Sequence, residues 1–238
     1  MFGKLLFSSF AAAVFALPLQ ISAQQTNVER YEIYSGFTYF TSPSLNLSEH
    51  GYHLQAGLNL RTWLGTGFDY SVVTGHNSLT PNLLLTSLQL QIGELLAELE
   101  AEGVIPPGYQ LSVPTDSTTQ TFAAGPQLVY RHYVSVTLFV RPSIGAIHES
   151  ATPHPTDAIS TLIVQQLTPS GKKTNWTGFY GFGGGLDWNA TRHVGLRTQA
   201  DLVYNHLFDD LLRNGRWTTR FSIGPVFHFG RNIVAAQK

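Results

Sequence analysis

Between residues 51 and 64, apolar and polar positions alternate. Tyr52, Leu54, Ala56, Leu58 and Leu60 occupy one register, and His53, Gln55, Gly57, Asn59 and Arg61 the other. A period of two is the signature of an extended strand. The pattern recurs to the end of the chain, where Phe221, Ile223, Pro225, Phe227 and Phe229 alternate with Arg220, Ser222, Gly224, Val226 and His228. Eight strands are expected, over 30–41, 51–61, 65–74, 119–131, 135–148, 177–188, 193–205 and 217–229. Each has about the ten residues that a tilted membrane strand needs. A soluble barrel would fill its interior with the apolar register. Here the second register carries Arg, Asp, Gln and Gly and is too polar for a dry core, so the apolar register is expected to face lipid and the polar one the lumen.

The connections alternate in length. Short turns are expected near residues 61–65, 131–135 and 189–192, and longer loops over 42–50, 75–118, 149–176 and 206–216. Short turns on the periplasmic side and long loops outside are usual for membrane barrels, and an even strand number puts both termini on the short-turn side. Closure also removes the sheet edges that lipid cannot satisfy. Tyr31, Trp63, Tyr130, Trp188 and Phe227 fall near one set of strand ends. Tyr39, Tyr52, Tyr70, Phe122, Tyr204 and Trp217 fall near the other, as two interfacial aromatic belts would. Pro126, Pro142 and Pro225 interrupt strands, each removing a ladder hydrogen bond, and suggest bulges.

Composition narrows the class further. Of 238 residues only 12% are charged, while 12% are aromatic, the net charge is −1 and there is no cysteine. No basic field invites nucleic acid, and disulfides and cysteine-based zinc sites are excluded. Residues 1–23 read as a signal peptide: Lys4 precedes an apolar run over 5–19, and Ile21-Ser22-Ala23 offers a small-residue cleavage site. Secretion through the inner membrane follows as an expectation. The domain plan is a signal peptide over 1–23, a barrel over 24–230 and a short periplasmic tail over 231–238. The glycines of 181–185 lack the lysine and following helix of a phosphate loop.

In this order the segments resemble the OmpA-like family of eight-stranded bacterial outer-membrane barrels. NLRTWLGTGFDY (59–70) is similar to the family's turn after strand two. Gly125-Pro126 with Tyr130-Arg131 is similar to strand four, 139–145 to strand five, and Gly183, Gly185, Asp187, Arg197 and Asp201 to strands six and seven. RFSIGPVFHFG (220–230) is similar to the closing strand. The resemblance implies an all-β, antiparallel, up-and-down transmembrane barrel in the bacterial outer membrane, inserted by the barrel-assembly machinery and in contact with outer-membrane lipid. It departs from the family in the residues that follow Phe229, too few for a peptidoglycan-binding domain, and in the long insertion over 75–118.

That insertion reads partly as a helix in one extracellular loop, with Thr80 as N-cap, Pro81 at N1 and Gly103 as the terminating glycine. Leu84, Leu85, Leu88, Ile92, Leu95, Leu96 and Leu99 form an apolar stripe, opposite Glu94, Glu98, Glu100 and Glu102. The stripe either covers the barrel mouth or meets a partner or membrane surface, with Leu84, Leu88, Ile92, Leu95 and Leu99 the loop-interaction candidates. In the lumen, Glu32, Arg61, Asp69, Arg131, Arg141, Asp187, Arg197, Asp201 and Arg220 are expected to pair, since an unpaired buried charge is costly. They would form a structural plug or gate a narrow pore. His206, Asp209 and Asp210, with His50 and His76, are the residues a rim-located enzyme would use, but no nucleophile is marked. No catalytic residue, metal site or cofactor is assigned. The expected role is non-enzymatic: structural, or surface contact with an extracellular ligand or protein through the loops. The alternatives are a gated pore for small solutes or ions, an outer-membrane enzyme, and a soluble ligand-carrying barrel.

Overall fold

The computed structural model describes residues 25–45, 47–212 and 215–234. The expected signal peptide and the last four residues of the tail lie outside them. The strands are β1 (Glu29–Ser42), β2 (Leu47–Asn59), β3 (Leu64–Leu79), β4 (Val113–Tyr130), β5 (Val136–Pro153), β6 (Lys173–Asn189), β7 (Val194–Asn205) and β8 (Arg216–Asn232). They close in sequence order, all neighbours antiparallel, with β8 completing the ring against β1. This is an all-β up-and-down transmembrane barrel.

The two registers separate as lipid and lumen require. Ile33, Phe37, Leu54, Phe68, Ile144, Phe182, Ile223 and Phe227 are exposed on the outer wall. The alternate positions, among them Glu32, His53, Asp69, Arg141 and Arg197, are buried inside. Aromatics gather at both rims of the apolar band. Tyr31 stacks on Phe229 at 5.6 Å at the short-turn end. Tyr70, Phe122 and Trp176 form a row at 4.9 and 6.0 Å near the other end.

Several strands run well beyond their expected ends toward the loop end. β3 continues to Leu79, β4 begins at Val113, β5 reaches Pro153 and β6 starts at Lys173. The loops shrink accordingly to 80–112 and 154–172, and the β1–β2 connection, expected to be long, is a single 3-10 turn over Pro43–Leu45. Above the aromatic row the outward positions become polar, as at His50, Thr74 and His76, so the sheet continues into water. β8 runs two residues past the expected boundary at 230. Val28 and Ile233, both buried, are joined by a 2.9 Å backbone bond across the short-turn mouth.

The prolines make no bulges. Ala124 faces Ile144 and Leu128 faces Val140 in one unbroken register, so Pro126 and Pro142 lie opposite each other where the ladder opens. Neither has an N–H to contribute, and each spares the other an unanswered partner. Pro225 likewise sits in a continuous register; the irregularity of the β1–β8 ladder lies between Glu29 and Tyr31 of β1, opposite Asn232 and Phe229 of β8.

Two helices cap the loop end. α1 (Thr86–Ala101) starts later than its pattern suggested: Pro81 instead opens a 3-10 turn over Pro81–Leu83, and Thr80 bonds Asn82 and caps no α-helix. Gly103, with φ of 72°, ends it as expected. α2 (Ala158–Leu167) was not anticipated. It carries a reciprocal capping box, with Ser160 N–H donating to Asp157 Oδ1 at 2.8 Å and Asp157 N–H to Ser160 Oγ at 3.1 Å. The Ser160 N–H holds the Asp157 carboxyl below the usual range. Tyr109 donates to Asp157 Oδ2 at 2.8 Å, and desolvation, together with that carboxylate, pushes its phenol up to about 12.

Replacement of Asp157 by alanine is expected to cost α2 about 1 kcal/mol, read as roughly fivefold faster amide exchange over 158–167 with the barrel strands unchanged. A folded pKa below the unfolded one makes the cap fully effective above the ordinary carboxylate range and lost as pH falls through the folded value. Wild-type exchange over α2 should therefore match that of the variant in strong acid and differ at neutral pH.

Candidate functional site

The lumen is the first place to look, because the sheet aims every second side chain into it. In its middle, four charged residues from four strands make a closed quartet. Arg141 on β5 lies 2.5 Å from Asp69 on β3 and 3.3 Å from Asp201 on β7. Arg220 on β8 lies 2.9 Å from Asp201 and 3.3 Å from Asp69. Two positive and two negative charges cancel. Arg220 also donates to Ser71 Oγ at 3.0 Å, and Gln199 to Asp201 at 3.2 Å. His53 sits beside the quartet, 3.7 Å from Asp69 and 3.1 Å from Ser222 Oγ.

A second cluster lies nearer the short-turn end. Arg197 holds Asp187 in a two-pronged contact at 2.6 and 2.8 Å and reaches Glu32 at 3.0 Å. Its guanidinium lies 4.7 Å from the centre of the Phe139 ring and 5.7 Å from that of Tyr34, so a planar cation is held by charge and by aromatic faces together. Glycines make the room. A Cβ on Gly57 would meet the Glu32 side chain at 2.5 Å, and one on Gly183 would collide with the Asp201 carboxylate. The glycine-rich stretch of β6 is thus a surface against which Asp201 and Gln199 of β7 pack.

Of the nine charged residues expected in the lumen, these two clusters gather seven. Arg131 is half-buried at the short-turn mouth, where it donates to Asn59 Oδ1 at 2.9 Å and to the Thr62 carbonyl and, among the described residues, pairs with no carboxylate. Arg61 is a correction: β2 ends at Asn59, and Arg61 lies exposed in the β2–β3 turn. Below the clusters, a cavity of about 470 Å³, roomy enough for water, opens at the short-turn end. It is lined by Glu29, Asn59, Arg131, Asn189 and His228, with residues 25–28 crossing it.

Toward the loop end the lumen changes character. Val73, Ile147, Phe179 and Val203 continue the inward registers of Asp69, Arg141, Gly183 and Asp201, but are apolar. They form one buried cluster with Leu47, Leu84, Ile92, Ile163, Val164, Phe208 and Leu212. Of the stripe residues, Leu84 and Ile92 are buried in this cluster and Leu88 and Leu95 pack against it, while Leu99 is half-buried. Leu84 lies before α1 and bridges to Leu212. Phe208 enters the cluster with φ of 53°, a backbone conformation costing of order 1 kcal/mol, offset by its burial.

Glu49, Glu149 and Arg216 lie at the border between the two interiors, all at least nine-tenths buried. None was among the expected site residues, since each fell in a predicted loop. The signal was register: Glu49 is in phase with His53, Glu149 with Arg141, and Arg216 with Arg220. The rim histidines do not assemble. His206 contacts Asp209 at 2.6 Å, Asp210 pairs with Lys173, and His76 and His154 flank Asp116 at 2.5 and 3.1 Å. His50 stacks on Phe37 at 6.4 Å.

An apolar outer band between two aromatic rims, around a charge-paired lumen, defines a small eight-stranded barrel of the outer-membrane type. No protein-family model matches the chain, and no curated protein matches it. Solved structures share its fold. Neisserial surface protein A (NspA) aligns over 84% of this chain and 96% of its own, with 12% identity and a TM-score of 0.51. A major outer membrane protein from Thermus thermophilus aligns over 83% and 99%, with 10% identity and a TM-score of 0.49. Ail, the attachment invasion locus protein of Yersinia pestis, in complex with the heparin analogue sucrose octasulfate, aligns over 85% and 99%, with 14% identity and a TM-score of 0.48. At such identities the likeness is one of fold.

Asp201→Ala would leave Arg141 and Arg220 short of a counter-charge, and breaking a buried pair from one side costs about 3–5 kcal/mol. Urea unfolding in detergent, followed by the mobility difference between heated and unheated samples on a denaturing gel, should show a clear drop in midpoint. Arg61→Ala should leave the midpoint within error.

Proposed function

We propose that the chain is a non-enzymatic outer-membrane protein that works as a sealed anchor for an ordered extracellular platform. The observation that carries this reading is the double closure of the lumen. The charge quartet fills its middle with side chains 0–4% exposed, and an apolar cluster closes it again at the loop end. Small barrels have interiors just wide enough for side chains to fill. A solute path would have to break both layers.

The loop end faces outward in this reading, since short turns lie in the periplasm in such barrels. Its outer surface is then the part that meets the surroundings. Glu94, Glu98 and Glu100 on α1 and Glu102 at its C-terminal end are exposed, with Leu90 beside them, 63% exposed. The apolar side of α1 is spent on the barrel mouth, which fixes the acidic side outward. Contact with a cationic partner at the cell surface follows from that charge.

Planar-bilayer recordings of the purified full chain should show no steady single-channel currents; reproducible channels in the wild type would sink the sealed-anchor reading. Cells displaying the chain should adhere to a polycation-coated surface more than cells displaying a variant with all four glutamates changed to glutamine. Equal adhesion at equal surface levels would remove the platform half of the proposal.

A further inference from the structure

Between the barrel rim and the two helices lies a second cavity, of about 90 Å³. Its walls are apolar: Leu47, Leu84, Val164, Leu167, Phe208 and Leu212 line it. Ser117 and Glu149 also line it. Glu149 is only 7% exposed. Among the described residues no cation lies within ion-pair distance of its carboxylate, and no side chain donates a hydrogen bond to it. Ser117 turns its hydroxyl to Glu49 Oε1, and Glu49 Oε2 is buried with no partner.

Among the described residues the nearby cations make no contact with either carboxylate. Lys173, on the cavity wall, pairs with Asp210. Arg216 donates to the Leu207 carbonyl and lies 3.7 Å from Asp209, while its Nε and Nη1 are buried without partners. Two carboxyl groups are therefore buried beside an apolar chamber with one guanidinium in their region, that of Arg216, and no ion pair to it, where the quartet gives Asp69 and Asp201 two guanidinium groups in direct contact. An isolated buried carboxylate is strongly disfavoured. A ligand that brings a cation on an apolar body answers both halves of the chamber at once.

We propose that this cavity binds a small primary alkylammonium ion, its ammonium group on Glu149 and its chain among Leu84, Val164, Phe208 and Leu212. Size sets the chain length. An apolar cavity of about 150 Å³ accepts benzene's six carbons, so about 90 Å³ accepts a body of roughly four. The ammonium donates three hydrogen bonds, which the Glu149 carboxylate and the Ser117 hydroxyl oxygen can accept. This site is separate from the acidic outer face of α1 and does not depend on it.

The test uses the full chain, isotope-labelled and folded in lipid nanodiscs, titrated with n-butylammonium while methyl resonances of Leu84, Val164 and Leu212 are followed. Saturable shifts at these methyls are expected. The neutral isostere n-butanol should bind at least tenfold more weakly, and Glu149→Gln should weaken n-butylammonium by at least tenfold while leaving n-butanol unchanged. Leu212→Trp, which fills the chamber without touching the carboxylate, should abolish both. The heat-dependent gel shift confirms that each variant is folded. Shifts that never saturate, n-butanol binding as tight as the amine, or unchanged amine affinity in folded Glu149→Gln would each overturn the proposal.

Discussion

Charge neutrality in a space too narrow for bulk water is the constraint from which the rest of this barrel follows. Asp69, Arg141, Asp201 and Arg220 come from β3, β5, β7 and β8, and each touches two carboxylates or two guanidinium groups. The hydrogen-bond ladder ties each strand only to its neighbours, whereas the quartet ties strands that share no ladder, β3 to β8 among them. A shift of one residue in any of these strands would turn its charge outward into lipid, where the cost is several kcal/mol. The quartet therefore selects the register of half the barrel, and the Arg197 cluster does the same for β1, β6 and β7. Small residues serve it: the glycines at 57 and 183 are set by the bulk of Glu32 and Asp201 opposite them.

Above the quartet the same geometry is filled with different chemistry. The inward registers continue without a break, but Val73, Ile147, Phe179 and Val203 replace Asp, Arg and Gly. These positions lie level with the upper aromatic row, and just above it the outer face turns polar, as at Thr74 and His76. There the hydrophobic effect, absent between side chains and lipid, again favours an apolar interior. The loop end is in effect a small soluble core built on the top of a membrane barrel. α1 and α2 close it, since the strands alone leave its upper face open to water.

The wall of the barrel was legible in the sequence because lipid and lumen impose opposite demands on alternate residues, as at Leu54 and His53. The pairing of the central charges was legible in outline, since Asp69, Arg141, Asp201 and Arg220 all fall in the polar register. Arg61 was misplaced because its parity continues that of β2 past the point where the turn has begun. The strand ends at the loop side were not legible from outward alternation, which fades once the strand leaves lipid. Inward parity does persist there, and it carries Glu49, Glu149 and Arg216 to their places. α2 had a readable signature, Asp157 and Ser160 three residues apart with Ile159, Ile163, Val164 and Leu167 at helical spacing. It was hidden by the expectation of a loop. The start of α1 was displaced because Pro81 serves a 3-10 turn as well as it would an α-helix.

The border between the two interiors is where their rules conflict. Below it, charges are tolerated because they are paired; above it, they are excluded because the core is apolar. Glu49 and Glu149 belong by parity to the lumen and by surroundings to the apolar cap. Arg216 is buried at the same border and contacts neither carboxylate. Glu49 at least accepts from Ser117, whereas replacing Glu149 with Leu would break no side-chain hydrogen bond or ion pair among the described residues. The stability that the paired charges of the quartet serve does not account for two buried carboxylates without an ion partner. Binding of the proposed cation in the loop-end cavity accounts for Glu149, which lines it.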